Sequence, residues 1–445
     1  MNRVSFLAVG SLFATLLVAC VGEPGGGGVN IELESSTTSS STATTTTSIA
    51  TTTTTTTIAR TATTTIPTRH VTGRVSTERG SPVAGANVSM GAQVATTGAD
   101  GGFSFEIQGL DTVTVTKPGW TSVEFEYDET VEFHEVTISA FTVRGIRVSP
   151  ESAGDDDKFE RLLQLGRDTA VNTLVFDTKQ EGGVVVHDVA VEDAHQIGAV
   201  TPHYDAATRI EQAHSEGLYT ITRIVVFDDA YRASAFPEER LIGGWLSPTS
   251  QEARSYVLSL AVEACEIGFD EIQFDYIRYP SGATADRTGQ LDLSQADRVA
   301  AIATFLGEAR SLLNPMGCAV SGDVFGVVVS MEDDQGLGQR PEELSAQLDV
   351  LSPMVYPSHY SNGWLGYEDP NDHPYEVTAD AIADAIPRLA EGSTLRPWLQ
   401  AFWWTNEQIR TSIQAAEDHG VGWILWNVLS NFDVAALPSD DEVGS

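Results

Sequence analysis

Phe269-Asp-Glu-Ile-Gln-Phe-Asp-Tyr-Ile-Arg-Tyr-Pro280 reads as a buried β-strand with an unusual polar face. Ile272, Phe274 and Tyr276 share one side, while Glu271, Gln273 and Asp275 share the other. A buried carboxylate is costly unless it is paired or used. In a parallel barrel, the C-terminal ends of the strands are where functional side chains collect. The stretch therefore predicts a central strand of such a barrel, with Asp275 at its working end.

Outward from this strand, apolar strand-like runs alternate with amphipathic helical runs. Strand one is Val143–Val148, with a helix near Asp156–Arg167, and strand two is Asn172–Lys179, with a helix near Ala206–Glu216. Strand three is Tyr219–Phe227, followed by a helix over Gln251–Ile267, and the quoted stretch precedes a helix near Gln295–Leu313. Strands five to eight fall at Ala319–Val324, Val350–Tyr356, Arg396–Phe402 and Gly422–Asn427, with helices near Pro341–Gln347, Ala379–Leu389 and Asn406–His419 between them. Eight such units predict an α/β fold, a (β/α)8 TIM barrel over residues 143–437. The alternative, an open doubly wound sheet, lacks a G-x-G-x-x-G after its first strand.

The chain ahead of the barrel changes texture twice. Met1-Asn-Arg3 and the apolar run Val4–Ala19 end in Leu17-Val-Ala-Cys20, a pattern that resembles a bacterial lipoprotein signal. The resemblance implies cleavage before Cys20 and lipidation of its thiol. The protein is then exported, anchored in the cell membrane by that lipid alone, and extracytoplasmic. An ordinary secretory signal is the alternative, and it exports the chain equally. Residues 21–68 are Gly-, Thr- and Ser-rich, too polar to bury a core, and predict a disordered tether. Residues 69–142 carry short alternating runs punctuated by Gly and Pro, as in a small all-β sandwich. Their pattern, G-x-V then P-V-x-G-A-x-V then T-x-A-D-G-x-F, resembles the carboxypeptidase regulatory-like family and implies an accessory module. An acidic tail, 438–445, closes the chain.

The formal net charge of −37 argues against nucleic acid as a partner, since phosphate binding needs clustered Lys and Arg. Lys117, Lys158 and Lys179 are the only lysines. Cys265 and Cys318 read as small buried hydrophobes, one in a helix and one at a strand start, with a bridge between them as the alternative.

Aligned by their C-terminal ends, the strands present polar and aromatic residues. Strand two ends Asp177-Thr-Lys179, with both charges expected on one face; strand three supplies Arg223 and, at its tip, Asp228-Asp229, and strand four Gln273, Asp275 and Arg278. Strand five supplies Asp323, and strand six ends Tyr356-Pro-Ser-His359. Gln400 follows on strand seven, with Trp426 and Asn427 on strand eight. Carboxylates, arginines and aromatics at one mouth suit a carbohydrate, because rings stack on sugar faces while acids and amides bind hydroxyls. Cleaving a glycosidic bond takes two carboxylates flanking it. Asp275 and Asp323 on adjacent strand ends, about 4.8 Å apart in the sheet, favour the shorter carboxylate spacing of a retaining mechanism. Arg278 is expected to keep Asp275 ionised as nucleophile, and a poorly solvated Asp323 to act as acid. The remaining named side chains are expected to bind substrate. His187, His195, His203, His359 and His373 form no H-x-H or H-E-x-x-H arrangement, so no metal or other cofactor is expected. A non-catalytic carbohydrate-binding barrel and a metal-dependent hydrolase are the competing readings.

Three motifs carry a wider resemblance: Phe269–Pro280, Ser352-Pro-Met-Val-Tyr-Pro-Ser-His-Tyr360 and Arg396-Pro-Trp-Leu-Gln400. In that order they resemble a bacterial family of glycoside-hydrolase barrels of unknown specificity, over about Val143–Asn431. Strand four is also similar to the nucleophile strand of α-amylase-like enzymes. It departs from them in carrying Gln273 where they place Arg, and in offering Asp323 where they use Glu. Ala401 stands where relatives carry an acid after the strand-seven Gln.

Overall fold

The computed structural model describes residues 68–108, 112–128 and 130–443. The expected signal with Cys20 and nearly all of the Thr-rich tether lie outside the described residues. From Thr68, seven strands form a three-stranded and a four-stranded sheet, which enclose a core of Val71, Val75, Val88, Phe103, Val113 and Val136.

The barrel strands are β1 (Arg144–Arg147), β2 (Thr173–Lys179), β3 (Tyr219–Val225) and β4 (Glu271–Asp275). They continue with β5 (Ala319–Phe325), β6 (Val350–Val355), β7 (Trp398–Gln400) and β8 (Trp423–Trp426). Each pairs in parallel with the next, and β8 and β2 both pair with β1, so the cylinder closes. Around it lie α1 (Asp156–Asp168), α2 (Ala206–Ser215), α3 (Gln251–Glu266), α4 (Gln295–Leu313), α5 (Pro341–Ser345), α6 (Pro374–Ala385) and α7 (Asn406–Asp418). Asp and Ser side chains cap α1, α2, α3 and α4 by accepting from N–H groups of the first turn.

The alternation in β4 does what its pattern predicts. Ile272 and Phe274 join the large core under the helices, and Glu271, Gln273 and Asp275 point into the cylinder. That interior is filled, as in other barrels of this size, here by Val143, Val175, Ile221, Trp398 and Ile424. At the N-terminal end, Arg396 forks onto Glu271, which also accepts from Ser321. The sandwich meets the same end: Lys117 lies 4.0 Å from Asp349. Burial lowers the Lys117 pKa, partly offset by that carboxylate.

Two expectations are corrected here. The sixth helix begins at Pro374, not near Ala379, because proline suits a first helical turn, and it ends as an α-helix at Ala385. Cys265 and Cys318 are joined in a disulfide rather than buried as separate thiols, with Cα atoms 6.0 Å apart. The topology explains it. α3 runs back to the N-terminal end of the barrel, and its last turn meets the residue just before β5, the neighbour of β4. Closing a loop 53 residues apart in sequence is worth about 2–4 kcal/mol. The Cys265→Ala/Cys318→Ala double variant should lose that much in a urea melt; an unchanged midpoint would mean that the bridge contributes nothing.

Candidate active site

The C-terminal rim is organised around one guanidinium. Arg223, on β3, is 2% exposed and donates Nε and Nη2 to Asp275 Oδ2 at 2.9 and 2.6 Å. Its Nη1 reaches Asp177 Oδ1 at 3.2 Å, and its Nη2 also contacts Glu181. Asp177 is gripped from its other side by Arg147 at 2.5 Å. The Trp426 ring lies against both guanidinium carbons, 4.5 Å from that of Arg147 and 5.0 Å from that of Arg223. Asp275 completes its shell by accepting from the Tyr276 N–H at 2.6 Å. Three donors, two of them cationic, make this a pocket for an anion.

Asp323 has a different environment. In the β4–β5 register, Gln273 faces Ser321 and Phe274 faces Gly322, so Asp275 and Asp323 leave the sheet side by side. Asp323 is 1% exposed; Oδ1 accepts from Trp398 Nε1 at 2.9 Å, and Oδ2 has no hydrogen-bond partner among the described residues. Burial, and then the Asp275 charge, lift its pKa well above the ordinary value. Tyr356 belongs to the same cluster, since burial and the Asp323 and Asp275 charges push its hydroxyl upward.

Other expected site residues do something else. Arg278 is not the partner of Asp275. Tyr276 adopts φ +53, which breaks the alternation, and Arg278 lands among Trp245, Tyr276 and Phe325, with its guanidinium carbon 4.5–4.8 Å from each ring centre. Lys179 does not share a face with Asp177. Asp177 pairs with Arg223 but Lys179 with Ile224, which makes Thr178 an extra residue that turns Lys179 outward. Its ammonium is wholly buried against Asp229 and the Val225 carbonyl. Gln273, fully buried, bonds Ser352 one layer beneath the acids. Gln400 accepts from the Ser358 N–H and donates to Asn371 and the Phe402 carbonyl, which ties two rim loops together. Asn427 bonds the Ala401 carbonyl and the Leu429 and Asn431 N–H groups. His359 is exposed on the rim beside the Tyr356 and Phe402 rings.

Two rim residues, Arg147 and Glu181, were not singled out from sequence, and Asp228 was given no role there. Arg147 follows Gly145 by two positions in β1, so alternation alone put it inside. Glu181 sits just past β2; burial works against its charge, but Arg223 outweighs that and holds its pKa low. Asp228, past β3, is half-buried, and its pKa is raised by burial and by the Glu181 charge. Among the described residues, no group of three or more His, Cys, Asp or Glu side chains is placed to hold a metal.

A closed (β/α)8 barrel with buried acids and arginines at the C-terminal rim defines a barrel protein whose working end is that rim. Residues 145–432 match the family model described as "Putative glycosyl hydrolase domain", and the chain belongs to that family. Among solved structures, it resembles a hypothetical protein from Ruminiclostridium thermocellum at 30% identity, over 41% of this chain and 99% of that one, with a TM-score of 0.35. It also resembles the β-amylase catalytic domain from Paenibacillus polymyxa, at 12% identity over 67% and 96% of the two chains, TM-score 0.45. A class V chitinase from Pseudomonas fluorescens aligns at 13% identity over 66% and 98%, TM-score 0.42. No curated protein matches.

Proposed function

We propose that this chain is a glycosidase that cleaves O-glycosidic bonds of a poly- or oligosaccharide with retention of configuration, and that it works outside the cell on a lipid anchor at Cys20. The observation that carries the reading is the unequal pair on one rim: Asp275 surrounded by donors, Asp323 buried and lifted toward its neutral form. In this scheme Asp275 attacks the anomeric carbon. Asp323 gives its proton to the departing oxygen, and then takes one from the water that breaks the glycosyl-enzyme bond. Arg223, fixed by Asp177 and Glu181, orients the nucleophile. The disulfide supports export, since such bonds persist in oxidising compartments.

The test is release of reducing ends by the full chain from a panel of storage and cell-wall glycans, with product anomers followed by NMR. No release from any glycan, with binding retained, would favour the non-catalytic barrel instead. Inverted product would overturn the retaining scheme.

The wider exposure of Asp228 favours a second reading, in which it is the acid. The two separate by leaving group. Loss of the true acid lowers turnover by about 10²–10⁴-fold on natural glycosides but spares aryl glycosides that need no protonation. Asp323→Asn, not Asp228→Asn, should show that split.

Asp323→Asn also carries a stability signature. A carboxyl raised in the folded state contributes stability that is complete below its ordinary value of 3.8 and is lost as pH climbs through the raised one. The variant cannot titrate there. Its Tm relative to the parent should therefore rise as pH climbs above about 4; a constant difference would mean that the Asp323 carboxyl is not lifted in the folded state.

A further inference from the structure

β7 leads into three consecutive aromatics, Phe402, Trp403 and Trp404, which the fold uses in different ways. Trp404 donates Nε1 to Asn371 Oδ1 at 2.9 Å. Phe402 faces Tyr356 and His359, with ring centres 5.5 and 5.9 Å away. Trp403 is 82% exposed, and its one ring contact among the described residues is edge-on to Phe402 at 5.1 Å. Its backbone sits at φ +59, a region that bulky side chains rarely occupy. So a large apolar ring is held in water on a disfavoured backbone, and little inside the chain compensates.

The loop after the neighbouring strand β8 is apolar and exposed as well. Val428 and Leu429, in the loop after β8, are 60% and 66% exposed. Asn427 fastens that loop to β7 through the Ala401 carbonyl at 2.7 Å. The patch is continuous with the acids: from Tyr356, which feels the Asp323 and Asp275 charges, through Phe402 to Trp403. Three side chains fall well short of the roughly 800 Å² per partner that a stable protein interface needs. An apolar ring face beside a sugar-cleaving rim suits the C–H face of a pyranose.

We propose that Trp403, with Val428 and Leu429 exposed on the adjacent loop, is a stacking platform for a neutral pyranose ring of a polymeric substrate, a subsite beyond the cleaved bond. The proposal rests on the glycosidase reading of the rim and narrows the substrate to a polysaccharide that runs from the acid pair outward across the β7 and β8 loops.

The test is affinity electrophoresis in native gels containing soluble starch, glycol chitin or xylan. It uses the full chain carrying Asp275→Asn, with and without Trp403→Gly. Retardation by at least one polymer is expected, weakened about tenfold or more by Trp403→Gly. Glycine also relieves φ +59, so Trp403→Gly alone should melt at or above the parent Tm. Equal migration of the two proteins in every gel overturns the proposal, as does a fall in Tm, which would make Trp403 a structural prop. Self-association that Trp403→Gly abolishes, with no gel shift, assigns the patch to a protein contact and also overturns it. The glycosidase reading fails separately: a chain that releases no reducing ends, yet loses retardation on Trp403→Gly, keeps the platform without the reaction.

Discussion

Replacing Asp275 by asparagine is expected to lower kcat/KM by about four orders of magnitude while leaving the barrel folded. The side chain keeps its shape, and its oxygen can still accept from the Tyr276 N–H. What disappears is the charge that faces Arg223 and attacks the sugar. Arg223 retains Asp177 and Glu181 as counter-ions, so the loss of stability should stay within about 1–3 kcal/mol. A cooperative melt near the parent Tm, together with lost turnover, is the expected pair of results; parent-like activity would remove Asp275 from the chemistry. The role can be separated from mere importance. Azide added to Asp275→Gly should attack an aryl glycoside in place of the missing carboxylate, giving a glycosyl azide of inverted configuration as the phenolate leaves. Azide of retained configuration would instead mean that Asp275 is the acid.

The barrel was legible because each of its strands carries a consistent outward apolar face. In β4 the polar residues on the other face announce an interior that binds or pairs charges. The site was legible only as far as strict alternation holds. It holds for Arg223, Asp275 and Asp323, which converge on one rim. It fails at Thr178, where an extra residue in β2 reverses the side on which Lys179 emerges, and again at Tyr276, where φ +53 redirects Arg278 into an aromatic cage. Neither break has a sequence signal, since neither position is Gly or Asn. The amides of Gln400 and Asn427 mislead for another reason. A rim made of loops needs internal hydrogen bonds before it can bind anything, and these side chains supply them. The disulfide, the lesser of two readings of Cys265 and Cys318, could not be preferred from sequence because its closeness depends on how α3 returns beside β5, a property of the assembled barrel and not of either local stretch.

The same alternation sets Glu271 and Asp275 on one interior face, yet opposite behaviour follows from their depth. Glu271 lies at the N-terminal end, 1% exposed, with both oxygens taken by the Arg396 fork and a further bond from Ser321. Arg396 reaches the acid pair only as a charge, a minor pull against the rise of the Asp323 pKa, and makes no hydrogen bond to it, so the Glu271–Arg396 pair chiefly serves the fold. Arg396→Met should therefore lower the unfolding free energy by about 3–5 kcal/mol, because Glu271 is left buried without its counter-ion. Adding Glu271→Gln should recover a large part of that loss, since the second change removes the orphaned charge. Urea melts of the single and double variants measure both terms, and activity per folded molecule at low temperature should match the parent. If Arg396→Met lost turnover without losing stability, the pair would have to act on the distant rim. If the double variant were no better than the single, the damage would lie in packing around the Arg396 stem and not in the uncompensated carboxylate.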